Sequence, residues 1–278
     1  MKTLFLIGCP RSGTTWLQMI LGSHPKIATR RETHLFDGYV TALYNVWQRE
    51  ASAPHKDGLR VLLSQAEFDS AIASFCDIVF GKIAASKPAA EYLLEKTPGH
   101  LRHHHTIREL YPDARFLHLV RDPRAVVASL LAARREPWGN WAPADVFQAA
   151  RLWRASVFIA RNEIARYGEG YLEVRYEDLA TGPDAVLARI CEWLRLEPIL
   201  YEADRFSLPE IKKHLTEGDP SEPSWENRTN FFRHGAIDGW STELTGPQIG
   251  VVEGICAGLL EQLGYAPCQV GIIHRKQQ

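Results

Sequence analysis

The stretch Leu4-Phe5-Leu6-Ile7-Gly8-Cys9-Pro10-Arg11-Ser12-Gly13-Thr14-Thr15-Trp16 passes from an apolar run into a turn framed by two glycines, then into a helical pattern at Leu17, Ile20 and Leu21. The run reads as a buried strand over Thr3–Gly8. The frame G-x-x-x-x-G-T-T differs at one position from the phosphate loop G-x-x-x-x-G-K-[ST]. Glycines allow the tight turn that aims backbone N–H groups at a phosphate, and the dipole of the following helix favours an anion there. Thr14 stands where a lysine would reach β- and γ-phosphates, and the loop's cation is Arg11, before the second glycine. Such a loop suits one phosphate and the group attached to it, not a triphosphate with Mg²⁺.

Further apolar strands are expected at Glu91–Glu95, Arg115–Val120 and Tyr171–Val174, separated by helical patterns. Strands alternating with helices predict an α/β fold, a doubly wound parallel sheet with helices on both faces. Helices are expected at 14–22, 37–49, 67–85, 101–110, 123–133, 143–167, 183–194 and 246–263. In the longest, Val146, Ala150, Trp153, Val157, Ala160, Ile164 and Tyr167 form a stripe that belongs to a core. Segments 49–65 and 216–240 read as loops over the carboxyl ends of the strands, where ligands bind in such sheets. No linker divides the chain, so residues 1–278 are expected to form one domain.

The third strand ends in Arg121-Asp122-Pro123-Arg124, with Ser129 two helical turns on. Asp122 suits a helix N-cap and Pro123 the first helical position. With the loop Pro10–Trp16, this second segment resembles the 3′-phosphoadenosine 5′-phosphosulfate (PAPS)-dependent sulfotransferase family. There the loop holds the 5′-phosphosulfate, and an Arg and a Ser eight positions apart hold the 3′-phosphate. The resemblance implies cofactor binding by Arg11, Ser12, Gly13, Thr14, Thr15, Trp16, Arg121 and Ser129, with Trp16 stacked on adenine. It extends to Tyr176, after the fourth strand, as an adenosine contact. It also extends to Arg233, His234 and Gly235 in Phe232–Trp240, which resembles the Arg-Lys-Gly signature with His in place of Lys.

Sulfuryl transfer to a hydroxyl needs a base, a cation for the leaving oxygen and in-line alignment. Arg31-Glu32-Thr33-His34-Leu35-Phe36-Asp37 resembles the Glu-containing segment of Golgi-type sulfotransferases acting on sugar hydroxyls and protein tyrosines, so Glu32 is the candidate base. His34 is the alternative, and a solvent-facing Glu32 in a charged turn is the structural reading. Lys96, in Leu94-Glu95-Lys96-Thr97-Pro98, is the candidate cation beside Arg11. Cytosolic aryl and steroid enzymes carry a histidine where Pro98 stands, which favours Glu32 further. The implied reaction takes a sulfuryl group from PAPS to a sugar, lipid or natural-product alcohol. A kinase and a non-catalytic nucleotide-binding regulatory protein are the rival readings.

The formal charge of −1 gives no reason to expect nucleic acid as a partner, and no apolar run is long enough to span a bilayer. The apolar stretch before Cys9 is too short for a signal peptide and is read as strand. Five scattered cysteines without a C-x-x-C pair suggest reduced thiols, hence a cytoplasmic setting. His103-His104-His105 invites a metal reading, but consecutive helical residues point apart and no carboxylate partner is evident, so no metal is expected. Trp138 and Trp141 could line an acceptor pocket or simply pack. The acceptor and the oligomeric state are open at this level.

Overall fold

The computed structural model describes residues 1–52, 57–202, 206 and 236–268. Five strands form one parallel sheet: β1 (Lys2–Ile7), β2 (Ile27–Thr29), β3 (Tyr92–Glu95), β4 (Arg115–Val120) and β5 (Tyr171–Arg175), in the order β2-β3-β1-β4-β5. Central β1 pairs Leu4 with Leu94 on one side and with Arg115 on the other. The expected α/β class and parallel sheet are both found. Strand β2 was not expected. At three residues it is too short to show a period, and it is held from outside. Lys87 Nζ donates to the carbonyls of Gly22, His24 and Ile27 at 2.7–2.9 Å, fixing the turn that leads into it.

The chain divides into two compact units. Residues 1–120 and 159–207 form the first, which contains the sheet. Alternate residues of each strand face opposite sides, and each side has its own core. Leu4, Leu6, Leu117 and Leu119 pack with Leu17, Ile20 and Leu21 of α1 (Thr14–Ser23) and with Leu179 and Leu187 from α7 (Tyr176–Thr181) and α8 (Pro183–Leu194). Phe5, Ile7, Leu93 and Phe116 pack with Phe36, with Trp47 of α2 (Thr41–Ala51), with Phe68, Ile72 and Phe80 of α3 (Gln65–Ala84), and with Ile107 of α4 (His104–Leu110). Twenty buried apolar side chains on one side and nineteen on the other, the larger ones at about 1.5–3 kcal/mol apiece, make this two-sided burial the main stabilising term.

The second unit comprises residues 121–158 and 208–278. Its described part contains α5 (Pro123–Arg134), most of α6 (Val146–Asn162), α9 (Trp240–Glu243) and α10 (Gly246–Gln262). Asp122 caps α5 as expected, accepting from Arg124 N at 2.8 Å. Arg124 is a buried hub: it pairs with Asp122 at 2.7 Å and Glu253 at 2.8 Å, and lies over the Trp240 ring at 4.1 Å. The expected stripe on α6 is buried from Ala150 through Ile164, although the helix is shorter at both ends than the expected 143–167. A 3-10 turn over Ile164–Gly170 takes over, with Gly168 at φ 58.

Two other helices and one expected loop depart from expectation. The helix expected at 37–49 is a π-helical turn, Leu35–Val40, that passes into α2. The one expected at 101–110 begins as a 3-10 turn, Pro98–His103. The segment expected as loop at 49–65 carries the end of α2 and a 3-10 turn, Leu59–Val61.

Candidate active site

Tight packing gives the loop between β1 and α1 its shape. A Cβ on Gly8 would lie 2.6 Å from the Leu119 carbonyl oxygen, so only glycine lets the loop leave the sheet here. Gly13 has φ 96, in the left-handed region, and a Cβ there would meet the Tyr176 ring at 2.6 Å. Tyr176 is itself buried and braces the loop from below. Arg11 also has positive φ, at 75. A non-glycine residue held there costs on the order of 1–3 kcal/mol, a strain that clusters at ligand-holding turns. Ser12 Oγ is buried and makes no hydrogen bond among the described residues. An orphaned hydroxyl inside a glycine turn at a helix N-terminus fits a phosphate oxygen.

Trp16 is half-buried. Its indole N–H donates to the Phe206 carbonyl at 3.1 Å, and its ring meets Tyr176 edge-on at 5.5 Å. It therefore packs within the first unit.

The segment after β2 is sewn to the sheet. Gln18 on α1 donates to Thr29 Oγ1 at 2.8 Å and to the Arg30 carbonyl at 2.5 Å, while Thr29 Oγ1 donates to the Leu94 carbonyl at 2.8 Å. This brings Glu32 to the carboxyl end of β3. Lys96, with no exposed surface, places Nζ 2.5 Å from Glu32 Oε1 and 3.1 Å from Thr15 Oγ1. Glu32 is largely buried, and its other oxygen lies 3.6 Å from His34 Nε2. Three of the expected residues from three separate stretches, Thr15, Glu32 and Lys96, thus meet at the loop. Hydroxyl, carboxylate and ammonium together can hold an anion and accept a proton beside it.

His34 is mostly exposed and sits at φ 50. Its hydrogen bond to Asp37, at 3.2 Å, raises its pKa from the ordinary value. Behind it lie residues to which sequence reading gave no such place: the buried carboxylate Glu95, the buried imidazole His100, and Asp37. The signal for Glu95 was present, a charge closing an otherwise apolar strand.

In the second unit, Arg121 donates through Nη2 to the Ala236 carbonyl at 3.0 Å, and its own carbonyl accepts from Trp153 Nε1 at 2.9 Å. Ser129 is buried on α5. Arg233, His234 and Gly235 lie outside the described residues. Trp141 is exposed on a 3-10 turn.

Contrary to expectation, the histidine run has a carboxylate partner, Glu163. His104 Nε2 and His105 Nε2 both approach Glu163 Oε2, at 3.1 and 3.8 Å, and the two rings lie 3.9 Å apart. Both lie in the first turn of α4, which is entered from a 3-10 turn. His104 Nδ1 is paired with Tyr167 Oη at 2.7 Å.

A model of the sulfotransferase family matches residues 3–199. The chain belongs to the sulfotransferase family. Among curated relatives, it is 28% identical over 198 residues to protein-tyrosine sulfotransferase of Drosophila melanogaster, matching 70% of this chain and 38% of that one. It is 33% identical over 137 residues to protein-tyrosine sulfotransferase 1 of Mus musculus, matching 48% of this chain and 35% of that one. The matched part is thus under half the length of either relative. The sulfotransferase domain of the Synechococcus PCC 7002 olefin synthase shares the fold, with TM-score 0.54 at 22% identity over 92% of this chain and 94% of that one. A mouse sulfotransferase complexed with PAP has TM-score 0.54 at 14% identity, over 97% and 89%.

The expected family is therefore found, on the Golgi-type side that the Glu32 segment resembles rather than the cytosolic aryl side. These same relatives overturn the expected cytoplasmic setting of this sulfotransferase, which rested on five scattered cysteines without a C-x-x-C pair. Among the described residues no helix is long and apolar enough to cross a membrane.

Proposed function

We propose that this chain transfers a sulfuryl group from PAPS to a hydroxyl acceptor, releasing a sulfate ester and adenosine 3′,5′-bisphosphate. The observation that carries the reading is the meeting of Glu32, Lys96 and Thr15 beside a loop that lacks the nucleotide-triphosphate lysine. PAPS supplies an activated sulfuryl group on its 5′-phosphate. Around it, the loop N–H groups, Ser12 Oγ, Thr14, Thr15 and the Arg11 cation hold the phosphosulfate. Glu32 takes the proton from the acceptor oxygen as that oxygen bonds to sulfur and the bond from sulfur to the bridging oxygen breaks. Lys96 and Arg11 neutralise the charge left on the phosphate. Fixed cations of this kind do the work that a metal does in phosphoryl transfer.

Trp16 and Tyr176 bind the adenosine, and Arg121, Ser129, Arg233, His234 and Gly235 the 3′-phosphate, in a single sulfotransferase domain over 1–278. The relatives' name makes a protein tyrosine hydroxyl the first acceptor to test. Sugar, lipid and natural-product alcohols remain in the same panel.

The test has two arms. Thermal shift with adenosine 3′,5′-bisphosphate against ATP with Mg²⁺ separates this reading from a kinase. Incubation with PAPS and a panel of tyrosine peptides, glycans and alcohols, read by mass spectrometry for added sulfate, separates an enzyme from a nucleotide-binding regulator. Stabilisation by ATP–Mg²⁺ alone would overturn the reading.

A further inference from the structure

Beneath the Glu32 turn lies a second group of charges that the proposed transfer does not use. Glu95 is almost wholly buried at the end of β3. Its Oε1 accepts from Thr33 N at 3.3 Å, Thr33 Oγ1 at 2.9 Å and Thr97 Oγ1 at 2.8 Å. Its Oε2 accepts from Thr97 N at 3.1 Å and stands 2.7 Å from His100 Nδ1. His100 has no exposed surface. Its Nε2 faces the Phe36 peptide N–H at 3.2 Å and Asp37 Oδ1 at 3.7 Å. The hydroxyl of Thr97 receives the His34 peptide N–H at 3.3 Å. The turn carrying Glu32 is thus gripped at Thr33, His34, Phe36 and Asp37 by three residues, Glu95, Thr97 and His100.

Burying a carboxylate and an imidazole is a poor way to gain stability, because an apolar pair of the same volume would serve as well. What a charged pair supplies and an apolar one cannot is direction. The peptide N–H groups of Thr33 and His34 each have a fixed acceptor, Glu95 Oε1 and Thr97 Oγ1, and His100 Nε2 faces both the Phe36 peptide and Asp37 Oδ1. The turn they shape is one the chain does not adopt readily: His34 is left-handed without being glycine, and the next residues form a π-helical turn. Such a conformation persists only where its surroundings over-determine it.

We propose that Glu95 and His100, with Asp37, are positioning residues that hold the Glu32 turn so that Glu32 meets Lys96 at the phosphate loop. This rests on the reaction proposed above for its kinetic consequence, but not for its structural one.

Replacing His100 by Leu leaves Glu95 buried without its imidazole. Replacing it by Asn keeps an N–H close to the position of Nδ1. Three quantities are read on the full chain: kcat and KM for PAPS-dependent transfer, affinity for adenosine 3′,5′-bisphosphate, and amide hydrogen exchange over residues 32–37. His100→Leu is expected to lower kcat at least tenfold, with nucleotide affinity and KM for PAPS within twofold. Exchange over 32–37 should speed up at least tenfold, with β1 and β4 unchanged. His100→Asn should recover kcat to within threefold of the parent. Unchanged exchange in His100→Leu, a parallel loss of nucleotide affinity, or an Asn variant no better than Leu overturns the proposal. If the parent transfers no sulfuryl group yet the exchange results hold, the positioning role stands and the reaction alone fails. Should His100→Leu not fold, Asp37→Asn, whose side chain is partly exposed, is read by the same exchange, and protection equal to the parent's overturns the proposal.

Discussion

Lys96 Nζ lies 2.5 Å from Glu32 Oε1, and the lysine has no surface in contact with solvent. Glu32 and Thr15 are therefore its hydrogen-bonding partners in place of water. A buried ammonium is tolerated only when paired, so the two groups assigned to proton removal and charge stabilisation also depend on each other for their presence in the fold.

That dependence separates two variants. Glu32→Gln keeps shape and an oxygen for Lys96 but cannot take a proton. Its kcat should fall by about 100- to 10,000-fold with nucleotide affinity nearly unchanged. Lys96→Met removes the ammonium from a buried carboxylate, so both kcat and melting temperature should fall, the latter by the equivalent of about 3–5 kcal/mol. Single-turnover transfer and thermal melts on the two variants check this. Near-normal transfer by Glu32→Gln together with inactive His34→Ala would move the base to His34.

Gly13→Ala forces a side chain into the left-handed region and against the Tyr176 ring at 2.6 Å. The loop must shift or Tyr176 must move. We expect the thermal stabilisation given by adenosine 3′,5′-bisphosphate to disappear while the far-ultraviolet circular dichroism stays that of the parent. An alanine variant with parental nucleotide affinity would show that the loop's shape is not what binds.

Arg121→Ala should weaken adenosine 3′,5′-bisphosphate by about 1.5–3 kcal/mol, the size of a lost charge-assisted hydrogen bond. It should weaken the 3′-dephosphorylated nucleotide far less. Calorimetry on both ligands decides, and equal losses would assign Arg121 to something other than the 3′-phosphate.

Stability should be bounded on both sides of neutrality. Burial disfavours charge on His100, but the Glu95 carboxylate and Asp37 outweigh it and raise the imidazole to about 9. A raised folded-state pKa gives stability that is complete below about 6.5, the unfolded value, and is lost as pH rises through about 9. Asp37 and Glu95 are also disfavoured as anions by burial, yet His100, the hydrogen bonds from His34, Thr97 and Thr33, and the charge around them lower both. Their contribution is present above about pH 4 and is lost as pH falls further. Melting temperature against pH should show both limbs, and His100→Asn should remove the alkaline one. An alkaline limb that survives the substitution would assign it to another group.

The sheet was legible because β1, β3, β4 and β5 are apolar runs ended by turn residues, the pattern that burial on both faces imposes. The loop was legible because glycine spacing records backbone conformation directly. Glu32 and Lys96 could be named from local motifs, but their contact could not, since it depends on β2, Gln18 and Thr29, whose hydrogen bonds leave no periodic trace. The same holds for Glu95 and His100. A buried ion pair between the end of a strand and the next turn is a tertiary fact, and each partner alone reads as a surface charge. The histidine run shows the converse error: adjacent helical residues diverge at Cβ, yet two imidazoles are long enough to reach one carboxylate.

The register of the central strand has a consequence for how the molecule is made. Leu4 finds its neighbours at Leu94 and Arg115, so β1 leaves the ribosome long before either flanking strand exists. Parallel pairing across such separations is slow, because chain closure is paid before contacts reward it. The loop after β1 is therefore synthesised before the strands that flank it and shaped late. Until β4 arrives, Leu4–Ile7 keeps at least one apolar edge open, and that interval is when a nascent chain has most to gain from a chaperone.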